Sequence, residues 1–150
     1  MEMTPEARLA QEIKAAMLAK DVDRLSTLRL LKSAVGYAQI ERKTENLSEA
    51  DFVSVVQKEV KKRRDSIEQF EKGNRPELAE KEKKEITVLE GFLPKPLSSR
   101  ELEQLVKATI QEVGATSKKD MGPVIKAVQA KAAGRAEGKT ISGMVGRLLP

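Results

Sequence analysis

Lys58, Lys61, Lys62, Arg63 and Arg64 form the densest run of positive charge in the chain. Ammonium and guanidinium groups at helical spacing can hold a row of phosphates. On a helix, Lys58, Lys61 and Lys62 share an outward face, while Arg63 turns toward the apolar side. A solvated face balanced by Glu59, Asp65 and Glu68 explains the strip more simply. Two turns nearer the end of the chain have a different character. Ser117-Lys118-Lys119-Asp120-Met121-Gly122-Pro123 sets two lysines before a predicted helix start, where free backbone N–H groups and the helix dipole already attract anions. Gly134-Arg135-Ala136-Glu137-Gly138-Lys139 is a glycine-flanked turn that brings Arg135 and Lys139 to the next helix start. Lys118, Lys119, Arg135 and Lys139 are therefore the candidate phosphate contacts, with Lys58, Lys61 and Lys62 as a secondary strip. Glycine helix stops with surface cations account for the two turns equally well, and spacing does not show that they meet.

Other chemistry is scarce. The chain has no histidine and no cysteine. It therefore lacks the groups for a Ser-His-Asp or Cys-His site, an imidazole acid–base or a His/Cys zinc site. Carboxylate, lysine and hydroxyl chemistry remain open. Nearly every acid in the third and fourth predicted helices has a Lys or Arg within four positions, so ion pairing explains these acids better than an acid–base pair does. Neither glycine-bearing turn matches a phosphate-loop or dinucleotide pattern. No catalytic residue, metal site or cofactor site is predicted. The four aromatics, Tyr37, Phe52, Phe70 and Phe92, fall at or near apolar positions. Readers of single strands usually expose several aromatics, so RNA bound here would be held by phosphate and shape.

The elements that position these residues all read as helices. Thr4-Pro5-Glu6 opens the first, with Leu9, Ile13, Ala16 and Met17 inward. Asp21 caps a second, carrying Leu28, Leu31, Val35 and Ala38. Ser48 with Asp51 forms an acidic variant of a capping box, and a third helix runs through Phe52, Val56, Val60, Ile67 and Phe70 to Gly73, roughly 35 Å. Pro76 starts a fourth with Leu78, Ile86 and Leu89 inward. Leu93-Pro94-Lys95-Pro96 cannot continue a helix. Beyond it Ser98 or Ser99 caps a fifth helix with Leu102, Leu105, Val106, Ile110 and Val113 inward. Asp120 precedes a sixth with Met121, Val124, Ile125, Val128 and Ala132, closed by Gly134. Gly138 or Thr140 opens a seventh with Ile141, Met144, Val145 and Leu148. The expected fold is all-α: an N-terminal four-helix lobe over 1–93, a Pro-rich hinge over 94–97 and a C-terminal three-helix lobe over 98–150.

Composition agrees with that class. Apolar residues are 39% and aromatics 3% of 150 residues, so the core must be aliphatic, and charged residues at 34% fit thin helical layers. The net charge of +5 is uneven. Residues 97–150 hold nine Lys/Arg against five Asp/Glu, whereas residues 1–96 hold nineteen against eighteen. The polar start and the lack of a long apolar run point to no signal peptide and no membrane, and with no cysteine they suggest a cytoplasmic protein.

The order Lys119-Asp120-Met121-Gly122-Pro123-Val124-Ile125, Gly134 to Lys139 and Ile141…Val145…Leu148-Leu149 resembles the GatB/YqeY tail domain. Leu28 to Ala34, Lys62 to Ile67, Arg75-Pro76-Glu77-Leu78 and Phe92-Leu93-Pro94 resemble stand-alone YqeY-like proteins, so the likeness spans almost the whole chain. Pro123, where a lysine is common, and Gln129, where an apolar residue is common, depart from the pattern. The resemblance implies two helical lobes and kinship with the B subunit of the tRNA-dependent amidotransferase, whose tail is associated with tRNA recognition. It implies as expected partner tRNA or another structured RNA, with a protein partner on the N-terminal helices as the rival reading. A carbon–nitrogen ligase using glutamine as amido donor is the enzymatic alternative. Nothing in the chain resembles the separate catalytic domain of that ligase, so a non-catalytic binding module is the function expected.

Overall fold

A computed structural model describes residues 3–150. Among these the secondary structure is entirely helical, with seven α-helices and one 3₁₀ turn. The backbone packs as two compact units, Met1–Leu93 and Pro94–Pro150.

The first unit contains α1 (Pro5–Leu18), α2 (Val22–Arg42), α3 (Glu49–Lys72) and α4 (Pro76–Glu90). Short polar side chains start three of them by accepting orphan N–H groups. Thr4 takes the Ala7 N–H, Asp21 the Arg24 N–H and Ser48 the Asp51 N–H. Asp51 does not complete a box; its carboxylate pairs with Arg42 at 3.1 Å. The connection between α2 and α3 is tied back to α1, because the Glu6 carboxylate accepts from Leu47 N–H at 2.7 Å and from Gln39 Nε2 at 3.2 Å. The core is aliphatic around one aromatic pair: Leu28, Leu31, Val56 and Leu89 are fully enclosed with Phe52, whose ring meets Phe92 edge-on at 6.0 Å.

Three expected inward positions face water instead. Met17 and Leu78 are exposed, and Ala16 and Ala79 take the buried sites beside them. Leu9, Ala16, Ile86 and Leu89 are buried as expected, so the α1 and α4 stripes differ from expectation only at one edge, since helical spacing leaves neighbouring positions close in angle and the packing partner selects between them. Val113, in the last turn of α5, is exposed as well. Tyr37 also lies outward at 76% exposure, whereas Phe52 and Phe92 are buried and Phe70 is half-buried.

The second unit holds α5 (Ser99–Val113), the 3₁₀ turn Lys118–Asp120, α6 (Met121–Ala132) and α7 (Gly138–Leu148) around Leu102, Val106, Val124, Val128, Ile141 and Val145. Ser98, not Ser99, caps α5 in a full capping box with Glu101. The Ser98 backbone N–H and then its hydroxyl hold the Glu101 carboxyl below the ordinary value. Helix α6 ends one residue earlier than expected, at Ala133, which takes a left-handed φ of 48° before Gly134 at 87°. Gln129, at the position where an apolar residue is common, is exposed.

Candidate functional site

All of the net charge belongs to the second unit. Residues 94–150 hold ten Lys/Arg and five Asp/Glu, and residues 1–93 hold eighteen of each. The two basic turns lie at opposite ends of α6. Lys118 and Lys119 sit in the 3₁₀ turn that leads into it, and Arg135 and Lys139 follow its C-terminus, twelve helical residues away, a span of roughly 18 Å. Asp120 accepts from the Thr116 and Ser117 N–H groups, which fixes the turn that displays the exposed lysines. Arg135 does something different. Its Nε donates to the Lys95 carbonyl at 2.8 Å, while its own carbonyl accepts from Leu97 N–H at 2.8 Å. The guanidinium thus clamps the Pro94–Leu97 segment onto this unit, which leaves less of it for a ligand. Lys139 stands exposed in the first turn of α7.

Sequence reasoning passed over Arg147. On α7, Lys139, Gly143 and Arg147 recur at i, i+4 and i+8, and all three are exposed; that spacing was the available signal. A Cβ at Gly143 would meet nothing within 4 Å, so no side chain stands between the two cations. The α7 C-terminus returns to the start of α6: Lys118 N–H donates to the Pro150 carbonyl at 3.2 Å, and a Cβ at Gly146 would lie 3.5 Å from Met121 Cε. Arg147 therefore falls at the same end as Lys118 and Lys119.

In the first unit the secondary strip is largely engaged. Lys61 pairs with Asp65 at 3.3 Å and Lys62 with Glu59 at 3.1 Å; Lys58 lines an open groove of about 600 Å³. Arg63, predicted nearer the apolar side, is 7% exposed at the floor of that groove. Three carboxylates from two helices surround it. Its Nη1 donates to the Glu59 carbonyl at 3.0 Å and carboxylate at 3.3 Å, Nη2 lies 3.4 Å from Glu85, and Nε lies 4.0 Å from Glu82. The order of charges along the chain relates only helical neighbours, so the α4 partners could not be read from spacing.

Burial and then the nearby Glu85 raise the Glu82 carboxyl above its ordinary value, outweighing the opposing pull of Arg63 and Lys81. For an acid raised by folding, the stabilising contribution is full below the ordinary carboxylate range and is lost as pH rises through the raised value. Glu82→Gln is therefore expected to leave stability at neutral pH unchanged or slightly higher, and to flatten its dependence on pH; thermal melts between about pH 4 and pH 7 check this. A clear loss at neutral pH would show that the ionised carboxylate stabilises the cluster.

Among the described residues no group of His, Cys, Asp or Glu is placed to hold a metal ion. No described helix is long and apolar enough to cross a membrane.

Comparison with known proteins places this geometry in a family. The Yqey-like protein model matches residues 6–149. The chain is 36% identical over 138 residues to the altered inheritance of mitochondria protein 41 of Kluyveromyces lactis, covering 91% of this chain and 71% of that protein. It is 31% identical over 140 residues to the protein of the same name from Pyrenophora tritici-repentis, covering 89% and 76%. A match to the Lachancea thermotolerans protein of that name, 37% identical over 87 residues, covers 58% of this chain and 46% of the relative. These relatives are named as mitochondrial proteins, which overturns the expectation of a cytoplasmic location. A family match over nearly the whole length, with relatives that align across both helical units, makes this chain a member of the YqeY-like family.

Proposed function

We propose that the protein is a non-catalytic binding module whose second unit, a tail lobe of GatB/YqeY type entered through the Pro94–Leu97 segment, grips the phosphates of tRNA or another structured RNA. The observation that carries this reading is the exposed face of α7, where Lys139 and Arg147 flank an uncovered Gly143 and Arg147 lies at the end of the helix that returns to the Lys118–Lys119 turn. Exposed cations with no side chain between them let a sugar–phosphate backbone approach closely, and the +5 charge of the unit draws it in. Arg135 supports the site by holding residues 94–97 rather than by contacting RNA. Kinship with amidotransferase B subunits gives the ligase reading no site of its own, since the carboxylates that folding brings together surround the Arg63 guanidinium.

Mobility-shift titration against a tRNA transcript at about 50 and 200 mM salt tests the proposal. Changing Lys118, Lys119, Lys139 and Arg147 together to alanine is expected to weaken binding more than about tenfold and to reduce the slope of log affinity against log salt by about three to four. Changing Lys58, Lys61 and Lys62 should leave binding near the wild-type level. Affinity that ignores both salt and the four substitutions would overturn it.

A further inference from the structure

The ionic groove of the first unit is not used by the RNA reading and has features of its own. One wall is the outer ridge of α2, where Leu30, Ala34 and Tyr37 recur at i, i+4 and i+7. Leu30 is 50% and Tyr37 76% exposed, although both are large and apolar enough to be covered in most folds. The floor and opposite wall are charged, and the charge is unbalanced: Glu41, Glu59, Glu82 and Glu85 face Lys58, Lys62 and Arg63. Lys62 is spent on Glu59, and Arg63 is shared among three carboxylates. The guanidinium Nε is enclosed and makes no hydrogen bond. Burial, and then the neighbouring Glu85, raise the Glu82 carboxyl beside it.

We infer that this groove is a docking site for an amphipathic helix of a partner protein, one whose apolar residues cover Leu30 and Tyr37 and whose Lys or Arg side chains reach Glu82 and Glu85. An apolar ridge beside an acidic wall is the surface that an amphipathic basic helix complements, with anchors at i, i+3 or i+4 and i+7. The occupant is cationic, because the groove holds four carboxylates and three cations in a unit of zero net charge. RNA is disfavoured there for the same reason. The size of the groove, about 600 Å³, accommodates a few side chains of such a helix rather than the helix itself.

The test uses the full chain and two synthetic helical peptides of about 14 residues, one of Leu and Lys and one of Leu and Glu in the same amphipathic order. Because residues 94–150 carry the +5 and residues 1–93 balance at zero, a Lys peptide is repelled by the second unit and can settle at an acidic site of the first. The Leu/Lys peptide is expected to bind with a Kd on the order of 10 µM, moving backbone NMR signals of Leu30, Ala34 and Tyr37, and the Leu/Glu peptide about tenfold more weakly. Tyr37→Ala, at an exposed position that leaves the fold intact, and Glu82→Gln should each weaken the Leu/Lys peptide about threefold to tenfold. Equal affinity for the two peptides, shifts confined to residues 94–150, or unchanged affinity of Tyr37→Ala would overturn the inference. So would a dimer in sedimentation that Tyr37→Ala dissolves, since a second copy would then be the occupant. Loss of RNA binding in the four-site variant described above leaves these readouts unmoved, so the two proposals fail separately.

Discussion

Replacing Arg63 with methionine is expected to destabilise the first unit by about 3 kcal/mol, as is usual when one partner of a buried ionic cluster is removed. The substitution keeps most of the aliphatic stem, so little packing is lost. What changes is charge. Glu59, Glu82 and Glu85 converge on the guanidinium from 3.3 to 4.0 Å, and without it three partly buried carboxylates repel one another. Glu82 and Glu85 keep some access to water, with side chains 22% and 15% exposed, which sets the loss at the lower end of the usual range. The acids can also relieve the repulsion by taking up protons, so the variant should regain stability as pH falls below neutrality. Hydrogen exchange of peptides from residues 1–93, followed against pH, measures both effects. Adding Glu59→Gln and Glu85→Gln should recover most of the loss, whereas Arg63→Lys should recover little, because an ammonium cannot present the guanidinium's fork to three acids. A variant as stable as the parent at neutral pH would mean that the cluster is hydrated and weak.

Phe52→Ala is expected to cost about 3–5 kcal/mol, the range for emptying a fully buried aromatic site. The ring is 0% exposed at the first turn of α3 and holds two neighbours that the methyl group of alanine cannot reach. Phe92, just beyond α4, packs edge-on against it at 75°, and the Arg8 guanidinium from α1 lies 5.7 Å over its face. Arg8 is further fixed by two bonds to Glu49, at 2.7 and 2.9 Å. One side chain therefore joins α3, α1 and the segment after α4, and its loss opens a cavity that these held elements cannot readily collapse to fill. Urea unfolding monitored by circular dichroism gives the size of the effect. Phe52→Leu should lose much less, and a small loss for alanine would show that the neighbours do collapse into the space.

The helix starts were legible because capping is local. Thr4, Asp21, Ser48 and Ser98 each accept an N–H from three residues on, and no other part of the fold is needed to make that bond. Inward faces were legible as stripes but less so as single residues, and Met17, Leu78 and Val113 show the margin. Ala16 was read correctly, whereas Ala79 is inside because close packing there has room for a methyl group, a condition set by another helix. Tyr37 is the sharper case: an aromatic within an apolar pattern reads as core, yet the ridge it occupies on α2 has no helix laid over it.

For the basic residues, residue types and allocation came from the sequence alone: the excess charge lies in the last third of the chain, two turns there carry paired cations, and the missing histidine and cysteine remove whole classes of catalysis. These are properties of composition and of local spacing, which the chain carries whether or not it is folded. Tertiary structure decided which cations act together. It set Lys118 and Lys119 at the opposite end of α6 from Arg135 and Lys139, turned Arg135 into a clamp on Lys95, and returned the end of α7 so that Arg147 joins the lysine turn. It also drew Glu82 and Glu85 of α4 onto Arg63 of α3, across a separation of about twenty residues that no helical period links. Helical repeats relate residues three or four apart, whereas charges meeting across helices depend on how those helices pack, and that is where both proposed surfaces arise.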